Sequence, residues 1–268
     1  MSAVLERGLG ILECLAGQPE GLPLGAIADR LKIPPSATHR LLIELVDYGY
    51  VRQVRDQGDY ALSTKLVAMV LDYMGATGIV DFAQPVLDRL AQESGEFVRL
   101  AVIDGERLTW VARSQGARRG LRYDPEIDAT VRLSCTASGQ AWLMTLSDVR
   151  ALALVKRQGF GATGDYGPNA PASATDLARQ LALARKRGYA LTVDSFGVGL
   201  SSIAVPVRRG SDAVIGVLSI AGPTARLDAK RLAGFAPELH TAARDIALAS
   251  ATSPLFATLR ARSEVAMS

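Results

Sequence analysis

Between Leu24 and Leu62 the chain reads LGAIADRLKIPPSATHRLLIELVDYGYVRQVRDQGDYAL, and few folds accommodate two short apolar stripes, a proline break and a charged ribbon in that order. Leu24, Ile27, Ala28 and Leu31 fall at i, i+3, i+4 and i+7, the spacing of one buried helical stripe. Lys32-Ile33-Pro34 interrupts it, because proline lacks an amide donor and biases its predecessor away from helical angles, whereas Pro35 suits the first turn of a new helix. A second stripe follows at Thr38, Leu41, Leu42 and Leu45, leaving Ser36, Ala37, His39, Arg40 and Glu44 on other faces. Gly49 ends that helix, Tyr50 to Val54 reads as extended, Asp56-Gln57-Gly58-Asp59 is rich in turn formers, and Tyr60 to Leu62 returns. The order is that of a winged helix-turn-helix, whose second helix enters the DNA major groove by its N-terminal end. Pro35, Ser36, Ala37, His39 and Arg40 are then the candidate groove residues, with Arg52 and Arg55 of the ribbon directed at the backbone. Arg40 is the first choice for a guanine edge.

The competing reading is two ordinary packed helices with solvated charges. Charge content does not decide between them, since residues 1–63 carry six basic against eight acidic side chains, a net of −2. Distribution favours DNA: Arg30, Lys32, Arg40, Arg52 and Arg55 cluster where phosphate would lie, and Glu6, Glu13 and Glu20 lie upstream. Because counterion release follows local phosphate contacts, so small a cluster predicts modest affinity and a need for dimerisation.

At 268 residues the expectation is two domains. A hydrophobic content of 49% with 21% charged residues excludes a disordered chain, and the +3 net charge decides no partner by itself. No apolar run reaches the ~18 residues of a membrane span and MSAVLERGLG has no signal-peptide core, so a cytoplasmic protein without membrane contact is expected. Two cysteines, Cys14 and Cys135, and two histidines, His39 and His240, supply neither a disulfide framework nor a metal site, and no cofactor is expected.

Beyond the ribbon, Lys65 to Tyr73 reads as a helix, Gly75 to Gly78 as a break, and Ile79 to Glu93 as a second helix ended by Gly95. Phe97 to Ile103 and Leu108 to Ala112 flank Asp104-Gly105 as a hairpin. Further strands are expected over Tyr189 to Val193, Ile203 to Val207 and Val214 to Ala221, the last two joined by Arg209-Gly210-Ser211-Asp212. Helices are expected over Gly139 to Leu146, Asp148 to Lys156, Ala174 to Arg187 and, as one long element, Asp228 to Ser250. The fold class is α+β with a mostly antiparallel sheet. The division is a DNA-binding domain over 1–63, a linker helix over 64–78, a ligand-binding domain over 79–252 and a tail over 253–268.

The two halves together resemble the IclR family of bacterial transcriptional regulators. Ser36 and Arg40 keep its SxxxR spacing, and Gly49-Tyr50-Val51 its GYV. LSCTASGQAWL (Leu133 to Leu143) is similar to LHxTAxGKAxL, GYALTVDSFGVGLSSIAVPV (Gly188 to Val207) to GYAxDxEExxxGxxCxAxPV, and Ile220-Ala221-Gly222-Pro223 to the SGP ending. The resemblance implies a GAF-like fold around a small-molecule pocket, with the effector carboxylate held by amides at a helix start and by polar groups from the strands. It also implies a homodimer, assembled as a dimer of dimers, on a palindromic operator. Effector contacts are then expected at Ser134, Thr136, Ala137, Ser138, Thr192, Leu200 and Ser202. Gln140 replaces the family lysine, Ser202 its cysteine, Thr192 its aspartate and Ala37 its threonine, so the pocket is expected to be neutral and polar, with one apolar wall.

Two other readings compete. Cys135, near a helix start, has the position of a redox-sensing thiol with a depressed pKa, against a buried filler. Ser138, Ser201 or Ser202 would be the nucleophile of a small-molecule hydrolase, but no GxSxG elbow or visible histidine base accompanies them. Asp124 and Glu126 read as a loop rather than an acid pair, Gly197 and Gly199 as a turn, Trp110 and Trp142 as core, and Arg260 and Arg262 as a solvated tail.

Overall fold

The computed structural model of the chain describes residues 3–54, 58–123, 131–162, 164–210, 213–250 and 253. It divides into two compact units, Met1–Ala76 and Thr77–Ser268.

In the first unit, α1 (Ala3–Ala16), α2 (Leu24–Leu31) and α3 (Pro35–Asp47) bury Ile11, Leu15, Ile27, Leu41 and Leu42 against one another. α2 stops because Lys32 turns left-handed at φ 53°, its amide closing on the carbonyls of Ala28 and Asp29. Three residues later Pro35 opens α3 at a position where no amide donor is needed. Gly49, at φ 75°, leads into β1 (Val51–Gln53), which pairs antiparallel with β2 (Tyr60–Leu62). Leu22 and Tyr60 exchange backbone hydrogen bonds of 2.9 and 2.8 Å, fastening the ribbon to the segment before α2.

The predicted break over Gly75 to Gly78 shrinks to one residue. α4 (Thr64–Thr77) continues through Gly75, and only Gly78, left-handed at φ 64°, separates it from α5 (Ile79–Ser94). A glycine inside a helix costs only about 0.5–1 kcal/mol relative to alanine, too little to end one by itself.

The second unit is built on β3 (Phe97–Asp104), β4 (Arg107–Gln115), β5 (Ala190–Val193), β6 (Leu200–Arg209) and β7 (Ala213–Pro223), in the spatial order β4-β3-β7-β6-β5 and antiparallel at every pairing. Alternation along the strands sends Val98, Leu100, Ile203, Val205, Leu218 and Ile220 to one face, against α5, α9 (Ala229–Gly234) and α10 (Ala236–Ala249). Ala101, Ile103, Ala190, Ala204 and Val217 face the other way, against α6 (Ala137–Leu143), α7 (Asp148–Gln158) and α8 (Ala174–Arg187). The single long helix expected from Asp228 to Ser250 is two, separated at Phe235. Pro237 has no amide to offer the carbonyl four residues back, and its ring crowds that carbonyl, so a new helix starts there. The helix expected to begin at Gly139 begins two residues earlier, because Thr136 caps it. Among the described residues no single helix is long and apolar enough to cross a membrane.

Candidate nucleic-acid interface and ligand site

The stripe of α3 decides which side chains are free. Thr38, Leu41 and Leu42 are buried, and the Thr38 hydroxyl donates to the Pro34 carbonyl at 3.2 Å. Pro35, Ser36, His39 and Arg40 are exposed and Ala37 is half-buried, so the predicted groove residues lie together on the outward side of the helix start. No side chain caps that N-terminus, which leaves its first amides and the positive end of the helix dipole open to an anion. Arg52 is exposed on β1 opposite Ala61. Arg55, with the turn residues Asp56 and Gln57, lies outside the described residues. At the other end of α3, Lys65 donates to the Tyr48 carbonyl at 2.8 Å, with its ammonium 4.4 Å from the Tyr50 ring centroid. The Ser63 hydroxyl donates to the Gly49 carbonyl. These contacts fix where the ribbon leaves the helix, and nothing in the stripe pattern marked Lys65 for that part.

In the second unit the Thr136 hydroxyl accepts from the Gly139 amide at 2.9 Å and donates to the Arg132 carbonyl at 2.6 Å. It is committed to starting α6. Gly139 is required there, since a Cβ would stand 2.4 Å from the Leu133 backbone. The Gln140 amide ties α6 to its surroundings, donating to the Ser134 carbonyl at 2.9 Å and to Gln180 of α8 at 2.5 Å. Ser134, Ala137 and Ser138 are buried and Leu200 is half-buried. Register brings Thr192 opposite Ser202, their hydroxyl oxygens 2.9 Å apart, on the sheet face that α6 covers. A cleft of about 380 Å³ lies elsewhere, bordered by Met144, Arg185, Pro206, Arg208, His240 and Arg244, and none of the expected effector residues lines it. There burial, then the neighbouring Arg244 charge, holds His240 below its ordinary pKa.

The structure corrects two expectations about charge. Cys135 is fully buried, and burial pushes its thiol up to about 11 rather than down. Such a thiol stays protonated near neutrality, which removes the physical basis of a thiolate sensor. The sheet face that carries Thr192 and Ser202 also is not wholly neutral, because Arg99 of β3 shares it. Its guanidinium carbon lies 3.8 Å from the Trp110 ring centroid, 5.2 Å from that of Phe97 and 6.0 Å from that of Tyr123. Burial lowers the Arg99 pKa, against opposing contributions from Tyr123. Of Trp110 and Trp142, both expected in the core, Trp142 is buried there, and Trp110 is half-buried, packed against the same core and against this arginine. A signal was present: in FVRLAVID, Arg99 keeps phase with Phe97 and Ala101, and so shares their inward face.

The serines weighed as nucleophiles have other partners or are enclosed. Ser201 bonds Thr224 at 2.8 Å, Ser202 bonds Thr192, and Ser138 is buried. Gly197 and Gly199 do form a turn, in which the Gly199 amide donates to the Asp194 carboxylate at 2.6 Å. Asp124 and Glu126, the turn residues Ser211 and Asp212, and Arg260 and Arg262 of the tail lie outside the described residues.

Comparison with known proteins places this geometry. Residues 4–55 match the model of the IclR helix-turn-helix domain, and residues 71–248 that of the C-terminal domain of the IclR bacterial transcriptional regulators. The chain is 28% identical over 246 residues to the transcriptional repressor IclR of Escherichia coli, covering 91% of this chain and 89% of the repressor. It is 30% identical over 238 residues to the regulator XynR of the same organism, covering 89% and 93%. The crystal structure of an IclR homolog from Microbacterium hydrocarbonoxydans, complexed with 4-hydroxybenzoate, shares the fold at a TM-score of 0.76 and 22% identity, covering 94% of this chain and all of that one.

Proposed function

The chain belongs to the IclR family of bacterial transcriptional regulators, and from that premise we propose that it is a sequence-specific operator-binding protein whose grip is controlled by a small organic or aromatic acid. The observation that carries the DNA half is the outward face of α3. Ser36, His39 and Arg40 stand exposed at an uncapped helix start, with Arg52 on the adjoining ribbon. In this reading Arg40 meets a base edge, Pro35, Ser36, Ala37 and His39 lie along the groove, and Arg52 and Arg55 approach phosphate.

The ligand half places the effector at Ser134, Thr136, Ala137, Ser138, Thr192, Leu200 and Ser202. It is supported by the paired hydroxyls of Thr192 and Ser202 under α6, and by a neighbour of the same fold that was crystallised with an aromatic acid. The working state is a homodimer on a palindromic operator, with half-sites about 34–36 Å apart or a multiple of that. Exposed apolar residues on α4 (Val67, Met69, Val70, Leu71, Tyr73) and on α1 (Val4, Leu5, Leu9) support pairing of protomers through these helices. A dimer of dimers, through the second units, rests on the family alone. Ligand shifts DNA affinity to the extent that it prefers one protomer arrangement over another.

A duplex selected by the protein from a random pool, and an acid found by thermal-shift screening, test both halves in one experiment. Arg40→Ala is expected to weaken duplex binding at least tenfold while fold and acid affinity survive, and unchanged binding would refute the part given to Arg40. Ser202→Trp is expected to abolish the acid response and spare duplex binding. A normal response in that variant would move the effector elsewhere.

A further inference from the structure

Most of the described arginines near a carboxylate hold one. Arg226 takes the buried carboxylate of Glu96 with two nitrogens, at 2.5 and 2.9 Å, and Arg89, Arg150, Arg157, Arg179 and Arg185 each pair with an acid. Arg99 is half-buried, yet among the described residues no carboxylate pairs with it. Its Nε is buried and has no hydrogen-bond partner among the described residues. Across the β3–β4 pairing it faces Arg113, a like charge, and the acid nearest in sequence, Glu96, is already taken.

A buried cationic donor left unpaired is costly, and ring faces attract the charge without satisfying the N–H. Trp110 lies against one side of the guanidinium, with Tyr123 nearby. The unpartnered Nε–H, together with an Nη–H of the same group, has the spacing of the two oxygens of a carboxylate. The sheet floor beside it is lined by small side chains. In register, Arg99 is followed across β7, β6 and β5 by Ser219, Ala204 and Ala190, and Phe97 by Ala221, Ser202 and Thr192. By ordinary strand spacing, the Arg99 and Ser202 backbones stand about 10 Å apart across the sheet and about 7 Å along it, a span that one arginine side chain and one small planar molecule can bridge.

We propose that Arg99 is the anion anchor of the effector site, its Nε/Nη fork binding the carboxylate of a planar aromatic monocarboxylate. The ring of that molecule lies beside Phe97 and Trp110 and points along the small-residue floor to Thr192 and Ser202. This rests on the reading that the second unit binds the effector, but it moves the acid's charge from the start of α6, where Thr136 is already the cap, to a side chain of β3. It also predicts a preference for acids over their neutral isosteres.

Matched pairs test it on the full-length protein by calorimetry: benzoate with benzamide, 4-hydroxybenzoate with 4-hydroxybenzamide, and phenylacetate with phenylacetamide. At least one acid is expected to bind tenfold or more tighter than its amide. Arg99→Met should reduce that preference to twofold or less, and Arg99→Lys should keep part of it. With no ligand, Arg99→Met should melt at or above the wild-type temperature, because it removes an unpaired buried charge. A fall in that temperature with the acid preference intact would make Arg99 a structural residue and overturn the proposal, as would a panel in which no acid outbinds its amide. Duplex binding in the same samples separates this failure from failure of the regulatory reading. If an amide binds and alters duplex affinity, the regulator stands and the anchor falls; if an acid binds through Arg99 and duplex affinity is unmoved, the anchor stands and the effector role falls.

Discussion

Two cations, Arg40 in the first unit and Arg99 in the second, show how differently the two halves of this molecule hold charge. Arg40 stands in water on α3, where staying unpaired costs almost nothing and a phosphate or base edge can be taken up or released freely. Arg99 is ringed by Phe97, Trp110 and Tyr123, and its buried Nε has no partner among the described residues, an unmet donor that is itself unfavourable. An exposed charge thus says little about a ligand until the geometry of its element is known, whereas a buried one asks for a partner. The first unit is built as a surface to be offered, and the second as an interior to be completed.

If that contrast holds, damage to one unit's core should leave the other unit's ligand untouched. The largest effect is expected from Leu42→Ala, which deletes a fully buried side chain beneath α3. The loss is about 2–5 kcal/mol from the stability of the first unit. Duplex binding should disappear while the thermal shift produced by the acid persists, and loss of both would break the contrast. The converse is Gly139→Ala, whose new methyl meets the Leu133 backbone and is expected to cost about 1–3 kcal/mol of overpacking. Calorimetry should find acid binding weakened or lost, with the duplex still bound.

Thr136→Ala sharpens the comparison on a smaller scale. It removes the cap of α6, worth about 1 kcal/mol, so the second unit should melt at a lower temperature, and Thr136→Ser should restore most of the loss. The smallest effect concerns pH. Folding holds His240 below its ordinary value of 6.5, so as pH falls through that value the unfolded chain takes up the proton first. Stability of the second unit is therefore expected to decline from pH 7 towards the lower folded pKa. Urea midpoints at pH 7 and 5.5 should show this decline reduced in His240→Gln.

The same contrast explains what could be read from the residues alone. On α3, subtracting the buried stripe from the helix left Ser36, His39 and Arg40 outside, because one helix supplies both the core contact and the free face. The proposed ligand face draws on β3, β4, β5, β6, α6 and the segment of Tyr123, and its neighbours depend on register. A β-bulge shifts the pairing so that Leu100 faces Ala112 while Ala101 faces Trp110, which sets Trp110 at the edge of the core and against Arg99. Periodicity found both strands but carried no mark of the extra residue. For Cys135 the buried filler is the reading that holds over the redox-sensing thiol, because a helix start lowers a thiol pKa only where water or a cation reaches it, and enclosure raises it instead. The break at Phe235, by contrast, had a mark that the expected single helix over Asp228 to Ser250 overlooked, since Pro237 stands inside that span.

The most direct test is reciprocity between the two ligands of the intact protein. Affinity for the selected duplex would be measured with and without a saturating aromatic acid, and affinity for the acid with and without saturating duplex. One effector acting on one grip should change both by the same factor, in the same direction. A duplex that binds identically with and without bound acid, or no duplex binding at all, would contradict a DNA-gripping unit governed by a ligand held in its neighbour.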